Sequence, residues 1–250
     1  MTWSGKPKIV AYDITKYIDE KFYPNFSSNW DDRLFRTKIL DVLGENHRLL
    51  DMGAGAGIVS HMNFKDVAKH TTGIDLDPRV VENPFLDEGI VCDVTSTPLP
   101  DDQFDVIICD NVLEHIAEPE AFFEEVTRLL KPSGHFLAKT PNMYHYMPLI
   151  ARLTPYWFHR FYNRIRGREA EDTFPTQYKI NSVKDVHKLS MTAGLKVSRI
   201  ELVEGRPEYL RIFAPLYLLG TFYERIINRF EFLKRFSILL IIDLEKTPAE

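Results

Sequence analysis

The stretch Leu49-Leu50-Asp51-Met52-Gly53-Ala54-Gly55-Ala56-Gly57 decides how this chain folds. In it, an apolar run ends in an acidic residue, and glycines then follow at every second position. About twenty residues later a second apolar run ends in an acid, within Gly73-Ile74-Asp75. This order predicts strand, glycine loop, helix, strand and carboxylate, which together form a nucleoside-binding half of a doubly wound α/β sheet.

The glycine loop also indicates which nucleoside it suits. The dinucleotide fingerprint G-x-G-x-x-G is not matched, because its third glycine would fall on Ile58 or on Ser60. The phosphate loop is not matched either, since no Gly-Lys-Ser/Thr follows. A carboxylate ahead of the glycines would repel a pyrophosphate, but it can accept hydrogen bonds from an amino group. S-adenosylmethionine (SAM), which carries an ammonium and a sulfonium but no phosphate, therefore suits this loop.

Asp75 is expected to end the second strand, where a carboxylate can accept from both hydroxyls of a ribose. NAD sites share this acid, so Asp75 alone does not separate the two cofactors. A tight strand-to-helix turn without a ligand is the alternative interpretation of the glycines. The two acids at suitable spacing argue against that alternative.

Further segments complete a pattern that resembles the class I SAM-dependent methyltransferases, of the broad small-molecule type 11 kind. The stretch Leu49 to Gly57 matches the first motif of that family, and Gly73-Ile74-Asp75 matches the acid of its second strand. The likeness is close over residues 45–140 and holds in outline over residues 180–245. The other matching segments are Cys92-Asp93-Val94 with Leu99-Pro100, Phe104 to His115, and Leu130 to Gly134 with Ser133 at a common glycine position.

The resemblance implies an enzyme that moves the methyl group of SAM to a nucleophilic oxygen, nitrogen or carbon and releases S-adenosylhomocysteine. In the family, the acid at the position of Asp93 usually binds the adenine amino group. The cofactor-binding residues expected here are Asp51, Gly53, Ala54, Gly55, Gly57, Asp75, Leu76, Cys92, Asp93, Val94, Asp110 and Asn111.

Two histidines are candidates for catalysis. His115 is the first candidate for a general base, which a hydroxyl acceptor would need; a turn element with His115 bonded to main chain is the alternative. His145 is the second candidate. Ubiquinone-pathway O-methyltransferases resemble this segment but carry an additional glutamate three residues before the Glu-His pair, which forms a divalent-metal site. Asn111 stands at that position here, so we expect no metal.

The expected fold is α/β, a Rossmann-like doubly wound sheet of seven strands with the last strand antiparallel. Helical insertions are expected after strands five and six. One domain would span residues 1–250, with a helical cap at 1–44, a SAM-binding core at 45–140, and acceptor-side insertions at 141–180 and 205–235. The strands are expected at 48–52, 71–75, 89–92, 104–109, 135–140, 195–203 and 236–244. The helices are expected within 9–44 up to Gly44, at 57–68, from Glu118-Pro119, from Thr154 to Gly167, at 182–193 and within 205–235.

The two insertions carry the candidates for acceptor binding. Five arginines lie between residues 152 and 168, with no acid until Glu169. One or two of them could bind an anionic acceptor, such as a phosphorylated, nucleotide-linked or lipid-linked sugar. A solvated face of an amphipathic helix is the favoured alternative. The segment from Tyr209 to Phe232 could be a lid, a dimer surface or a peripheral membrane contact. Packing against the insertion at residues 145–165 is the favoured interpretation.

Bulk properties narrow the class of protein. The net charge of −5 does not favour nucleic-acid binding. Cys92 and Cys109 are expected to be reduced thiols. The longest purely apolar run is Ile238 to Ile242, far short of a membrane span. We therefore expect a soluble cytoplasmic monomer or homodimer. An NAD(P)-dependent oxidoreductase and a non-catalytic SAM-binding protein stay open as alternative functions.

Overall fold

A computed structural model describes residues 14–26, 29–153 and 175–248. One sheet has the strand order β3-β2-β1-β4-β5-β7-β6, in which β1 to β5 are parallel and β7 is antiparallel to both β5 and β6. The predicted seven-stranded α/β fold is thus confirmed. The strands are β1 (Arg48–Met52), β2 (His70–Asp75), β3 (Glu88–Val91), β4 (Phe104–Asp110), β5 (Leu130–Pro141), β6 (Leu195–Val203) and β7 (Leu239–Lys246).

Helices cover both faces of the sheet. In β4, Val106 and Ile108 pack into the core on the side of α2, whereas Ile107 and Cys109 pack on the side of α3. This alternation explains why the strand is apolar almost throughout, because a central parallel strand is buried on both faces. The helices are α1 (Ile14–Phe22), α2 (Trp30–Leu40), α3 (Pro119–Leu129), α4 (Tyr146–Leu153), α5 (Val183–Thr192) and α6 (Ala214–Arg229).

The ends of α5, which lies within the predicted range 182–193, have specific capping residues. The Ser182 hydroxyl oxygen accepts a hydrogen bond from the Asp185 N–H at 3.2 Å. Gly194 has a φ of 76° just beyond the helix, as a glycine C-terminal stop requires. Local chemistry therefore fixes both ends of this helix.

The predicted helix at 57–68 is wrong. The chain forms only a 3-10 turn there, at Ser60–Met62. Arg36 donates to the carbonyls of His61 and Asn63, each at 2.7 Å. The Asn63 side chain accepts from the Lys65 N–H at 3.1 Å. These bonds use main-chain groups that an α-helix would need, so the helix does not form.

Several predicted boundaries shift. α2 ends at Leu40 instead of Gly44, because the N–H groups of Val42 and Leu43 both bond to the Ile39 carbonyl in a tighter turn. β5 starts earlier than residue 135, since Leu130 pairs with Phe104 across an irregularity. β7 starts later than residue 236, because Glu231–Phe236 is a 3-10 helix. The helix predicted from Thr154 to Gly167 lies outside the described residues.

Both insertions leave the sheet at one edge. In the register of the sheet, Pro141 at the end of β5 pairs with Leu239, and Leu239 pairs with Val203 at the end of β6. The carboxyl ends of β1 and β4 lie at the same edge, since these strands are parallel to β5. Acidic strand ends and inserted helices therefore share the carboxyl edge of the sheet. Among the described helices, none is long and apolar enough to cross a membrane.

Candidate functional site

The loop after β1 depends on glycine. Gly53, Gly55 and Gly57 have φ values of 89°, 51° and 72°, in the left-handed region. A Cβ on Gly53 would lie 2.3 Å from Val112 Cγ2, and one on Gly57 would lie 2.3 Å from Asn83 Oδ1. The loop therefore packs closely against its neighbours. It lies beside the carboxyl ends of the strands.

Asp75 fixes this loop to the end of β2. The Gly55 N–H donates to Asp75 Oδ2 at 2.8 Å, and the Asp77 N–H donates to Oδ1 at 2.8 Å. Each carboxylate oxygen has a second lone pair that these bonds do not use. The carboxylate can therefore hold the loop and still accept from two hydroxyls of a ligand.

Asp51 is a buried carboxyl at the end of β1. Burial, together with the nearby carboxyls of Asp110 and Asp75, raises its pKa to about 8. A buried acid of this kind is neutral near pH 7 until a cation comes close to it. Its position beside the glycine loop therefore suits a positively charged ligand group.

Asp110, at the end of β4, has a cation beside it. The buried Lys139 ammonium lies 3.1 Å from Asp110 Oδ1, 2.6 Å from Asp32 Oδ1 and 3.1 Å from Asp31 Oδ2. Burial raises the pKa of Asp110 to about 6, and Lys139 opposes that rise. This network joins the first turn of α2 to the sheet beside Asp51.

Sequence reasoning missed Lys139. Its signal was a lysine inside the apolar strand Phe136 to Thr140, because a lysine is almost never fully buried without a partner. Asp31 and Asp32 lie in the first turn of α2, where acids are favourable. Their second role, as partners of Lys139, depends on the fold, which brings these distant residues together.

The end of β3 lies next to the end of β2. The Cys92 N–H donates to the Asp75 carbonyl at 3.1 Å. Asp93 Oδ1 accepts from the Thr95 N–H at 2.8 Å and from the Thr95 hydroxyl at 2.7 Å. Val94 packs partly buried against the core, whereas Asp93 is exposed. Both bonds use Oδ1, so the second oxygen of Asp93 can accept a hydrogen bond from another donor.

Two further predicted cofactor-binding residues lie at the same strand ends. Leu76 is exposed directly after Asp75, an unusual place for a leucine. Asn111 has a φ of 55°, which asparagine tolerates, and its Nδ2 donates to Asp110 Oδ1 at 2.8 Å. The structure therefore places the predicted cofactor-binding residues at the ends of β1, β2, β3 and β4.

His115 lies in a 3-10 turn (Leu113–His115) after β4. Its Nδ1 lies 3.0 Å from the Pro175 carbonyl oxygen. A carbonyl can only accept, so Nδ1 carries the proton and Nε2 is the basic nitrogen of the neutral ring. Nε2 lies 3.9 Å from Oε1 of the buried Glu114, whose pKa is raised by burial.

His145 has different surroundings. It is buried, and its Nδ1 accepts from the Met147 N–H at 3.2 Å. Its Nε2 lies 3.7 Å from Oε2 of the buried Glu204. Burial lowers the pKa of His145 to about 3 and raises the pKa of Glu204 to about 8. The predicted arginines from Arg160 to Arg168, with His159 and Tyr162, lie outside the described residues.

Comparisons with known proteins agree with this geometry. Residues 50–138 match the family model described as a methyltransferase domain. An uncharacterized methyltransferase of Bacillus subtilis, YcgJ, is 33% identical over 141 residues, which are 53% of this chain and 52% of that protein. A ubiquinone biosynthesis O-methyltransferase of Xylella fastidiosa is 31% identical over 142 residues, which are 49% of this chain and 56% of that protein. The chain thus spans about half the length of the curated relatives it matches.

A solved structure shares nearly the whole fold. The crystal structure of the [4+2]-cyclase SpnF has a TM-score of 0.58 and 19% identity, and covers 95% of this chain and 94% of its own. At this identity the likeness shows the fold alone, since one fold supports different chemistries.

Proposed function

We propose that this chain, whose residues 50–138 match a methyltransferase domain, moves the methyl group of SAM to an oxygen of a small-molecule acceptor. One observation carries the proposal: the buried Asp51 carboxyl, with its raised pKa, lies at the base of a glycine loop held by Asp75. A cationic cofactor would convert this acid to its charged form and bind to it. A pyrophosphate would be repelled there.

Each predicted cofactor residue has a proposed contact that its position supports. Asp51 would accept from the ammonium of SAM, and Asp75 from the ribose hydroxyls. Asp93 would accept from the adenine amino group. The main chain of the loop and the side chains around it would enclose the rest. These are Gly53, Ala54, Gly55, Gly57, Leu76, Cys92, Val94, Asp110 and Asn111.

We propose His115 as the general base. SAM supplies the electrophilic methyl group with its sulfonium leaving group, and a hydroxyl acceptor must lose a proton to the protein. The Pro175 carbonyl holds the Nδ1 proton of His115, which keeps Nε2 basic. The name of the Xylella relative, an O-methyltransferase, favours oxygen as the accepting atom. His145 stays a prediction, and its Met147 contact favours a structural role.

The acceptor would bind on the insertion side of the carboxyl edge, within one domain that spans the chain. Residues 1–44 would form the cap, residues 45–140 the cofactor core, and residues 141–180 and 205–235 the acceptor side. The anchoring of α2 to Lys139 supports the cap, because it ties that helix to the cofactor side of the sheet. An anionic or lipid- or sugar-linked acceptor fits the arginines of the insertions.

Binding calorimetry separates this proposal from the alternatives. Titration with SAM, S-adenosylhomocysteine and NAD should give binding of the first two alone. A turnover assay that follows S-adenosylhomocysteine release over phenolic, sugar-linked and lipid-linked hydroxyl acceptors then tests catalysis. Binding of NAD without SAM would contradict the proposal. Binding of SAM with no turnover on any acceptor class would favour a non-catalytic SAM-binding protein.

A further inference from the structure

Helix α6 carries large apolar residues on its exposed side. Leu219 and Phe222 are 61% and 64% exposed, and Leu218 is also exposed on this side. The opposite side is buried and contains Tyr217, Gly220 and Ile227 together with the polar groups of Thr221 and Glu224. A surface helix of a soluble protein turns its apolar side inward, so the outward apolar side here needs an explanation.

The buried side of α6 is held in place by specific bonds. The Tyr23 hydroxyl donates to Glu224 Oε2 at 3.2 Å, and the Tyr217 hydroxyl donates to Asp19. The rings of Tyr23 and Tyr217 stack with centroids 6.1 Å apart. Because these contacts tie α6 to α1, the helix cannot rotate to bury its leucines without breaking them.

Basic residues continue the exposed side of α6. Arg225 and Arg229 follow Phe222 at helical spacing, and both are exposed. Residues 210–236 contain five lysines and arginines against two acids, in a chain whose net charge is −5. One of those two acids, Glu224, is buried. Arg211, Arg225 and Lys234 form ion pairs with Asp19, Glu224 and Glu231. The positive charge of this apolar surface therefore comes from Arg229 and Arg235.

The neighbouring helix α4 extends this surface. The rings of Tyr146 in α4 and Tyr223 in α6 meet edge to face, with centroids 5.0 Å apart. Leu149 and Ile150 of α4 are exposed. Apolar residues next to the exposed side of α6 are exposed too, namely Ile212, Phe213, Leu216, Phe230 and Phe232.

We propose that the α6 face, defined as Leu218, Leu219, Phe222 and Arg229, docks on an anionic lipid surface. The helix lies in the plane of the interface, with its leucines and phenylalanine among the acyl chains and Arg229 at a lipid phosphate. Its 16 residues span about 24 Å. The charge favours a membrane over a second copy of the chain, because two such basic faces would repel each other.

The location of the α6 face relates the docking to the proposed site. The insertion that contains α6 begins after Val203 and returns at Leu239, at the edge where Asp51 and Asp110 end their strands. A lipid surface bound there faces the acceptor side of the proposed site. This consequence rests on the proposed function, but the docking itself does not.

Vesicle co-sedimentation tests the docking. The full chain should sediment with vesicles of equal phosphatidylcholine and phosphatidylglycerol, and much less with pure phosphatidylcholine. The double variant Leu219→Asp/Phe222→Asp should bind at least about 10-fold more weakly, since burying a charge in the acyl region is unfavourable. Arg229→Ala should weaken binding a few-fold and reduce its dependence on salt. Met191→Asp, at a residue 78% exposed on α5, is the matched control and should bind as the wild type does.

Calorimetry with SAM on each variant checks that it is folded, independently of vesicle binding. A wild-type chain that stays in the supernatant with both vesicle types would overturn the docking. Equal sedimentation of the wild type and the double variant would overturn it as well. Sedimentation velocity adds a third outcome: a wild-type dimer that becomes monomeric in the double variant would assign the α6 face to a second copy of the chain.

Discussion

The two halves of the carboxyl edge are built in different ways. Around β1 and β2, polar groups are held by main-chain N–H groups of the loops that end these two neighbouring strands, as Asp75 is by Gly55 and Asp77. Around β5 and β6, the buried polar groups are held by partners from distant segments, as Glu224 is by Tyr23. Local construction leaves a pattern in the sequence, whereas distant construction leaves almost none.

The contrast between Asp51 and Asp110 shows what this means for binding. Asp51 is buried and Asp110 is half-buried, and the two acids lie at the ends of adjacent strands. Lys139 reaches Asp110, whose pKa is raised only to about 6, while burial raises the pKa of Asp51 to about 8. The protein neutralises one acid with its own lysine. We infer that the other acid is left for the cofactor.

We expect the largest difference between the two halves when His115 and His145 are replaced one at a time. His115→Gln should lower kcat by about 10²- to 10⁴-fold while leaving the Kd for SAM within a few-fold, because it removes the proposed base. The matched variant His145→Gln should lower the melting temperature and change kcat only a few-fold. Steady-state kinetics and SAM calorimetry give both results. A catalytic loss in His145→Gln that exceeds the loss in His115→Gln would reverse the assignment.

Lys139→Ala should remove the cation next to Asp110 and so make the surroundings of Asp110 resemble those of Asp51. Removal of the buried ammonium leaves three carboxylates without their shared cation and should cost about 3–5 kcal/mol of unfolding free energy. The control is Lys65→Ala, since Lys65 forms an exposed pair with Asp87 at 3.7 Å. That control should change stability by less than about 1 kcal/mol. Equal losses in urea denaturation would show that the network does not stabilise the fold.

Gly53→Ala should test how tightly the loop is built. The new Cβ would meet Val112 at a backbone φ of 89°, so we expect a loss of about 2–3 kcal/mol. Gly194→Ala is the control, because its φ of 76° is similar but nothing lies within 4 Å of the new Cβ. It should lose about 1 kcal/mol. If denaturation gave both variants the same loss, contact with Val112 would not be the cause.

Asp51→Asn should stabilise the protein without its cofactor in a pH-dependent way. The folded-state pKa lies above that of the unfolded chain, so the wild type loses stability as the pH rises from about 4 to about 8. Asparagine removes this loss, and we expect a gain of about 1–3 kcal/mol at pH 8 that vanishes near pH 4. Thermal unfolding at the two pH values measures it. A gain of equal size at both would contradict the raised pKa.

The sequence predicted what short-range chemistry determines. The apolar runs predicted β1 and β6 to the residue, and the predicted bounds 182–193 of α5 differ from the observed ones by one residue at each end. The helix at 57–68 could not be excluded, because Arg36, which occupies its carbonyls, comes from an earlier helix. The ion pairs of Lys139 and the exposed apolar side of α6 could not be predicted from the sequence for the same reason. Their partners meet only in the folded chain.

Proton release on SAM binding tests the central claim most directly. Calorimetry at about pH 6.5, repeated in buffers of different ionisation enthalpy, counts the protons that leave as the cofactor binds. At that pH the Asp51 carboxyl of the free protein is mostly protonated, so we predict release of about one proton from the wild type and almost none from Asp51→Asn, which binds SAM more weakly. SAM binding with no proton release, or with the same release from both proteins, would contradict the account.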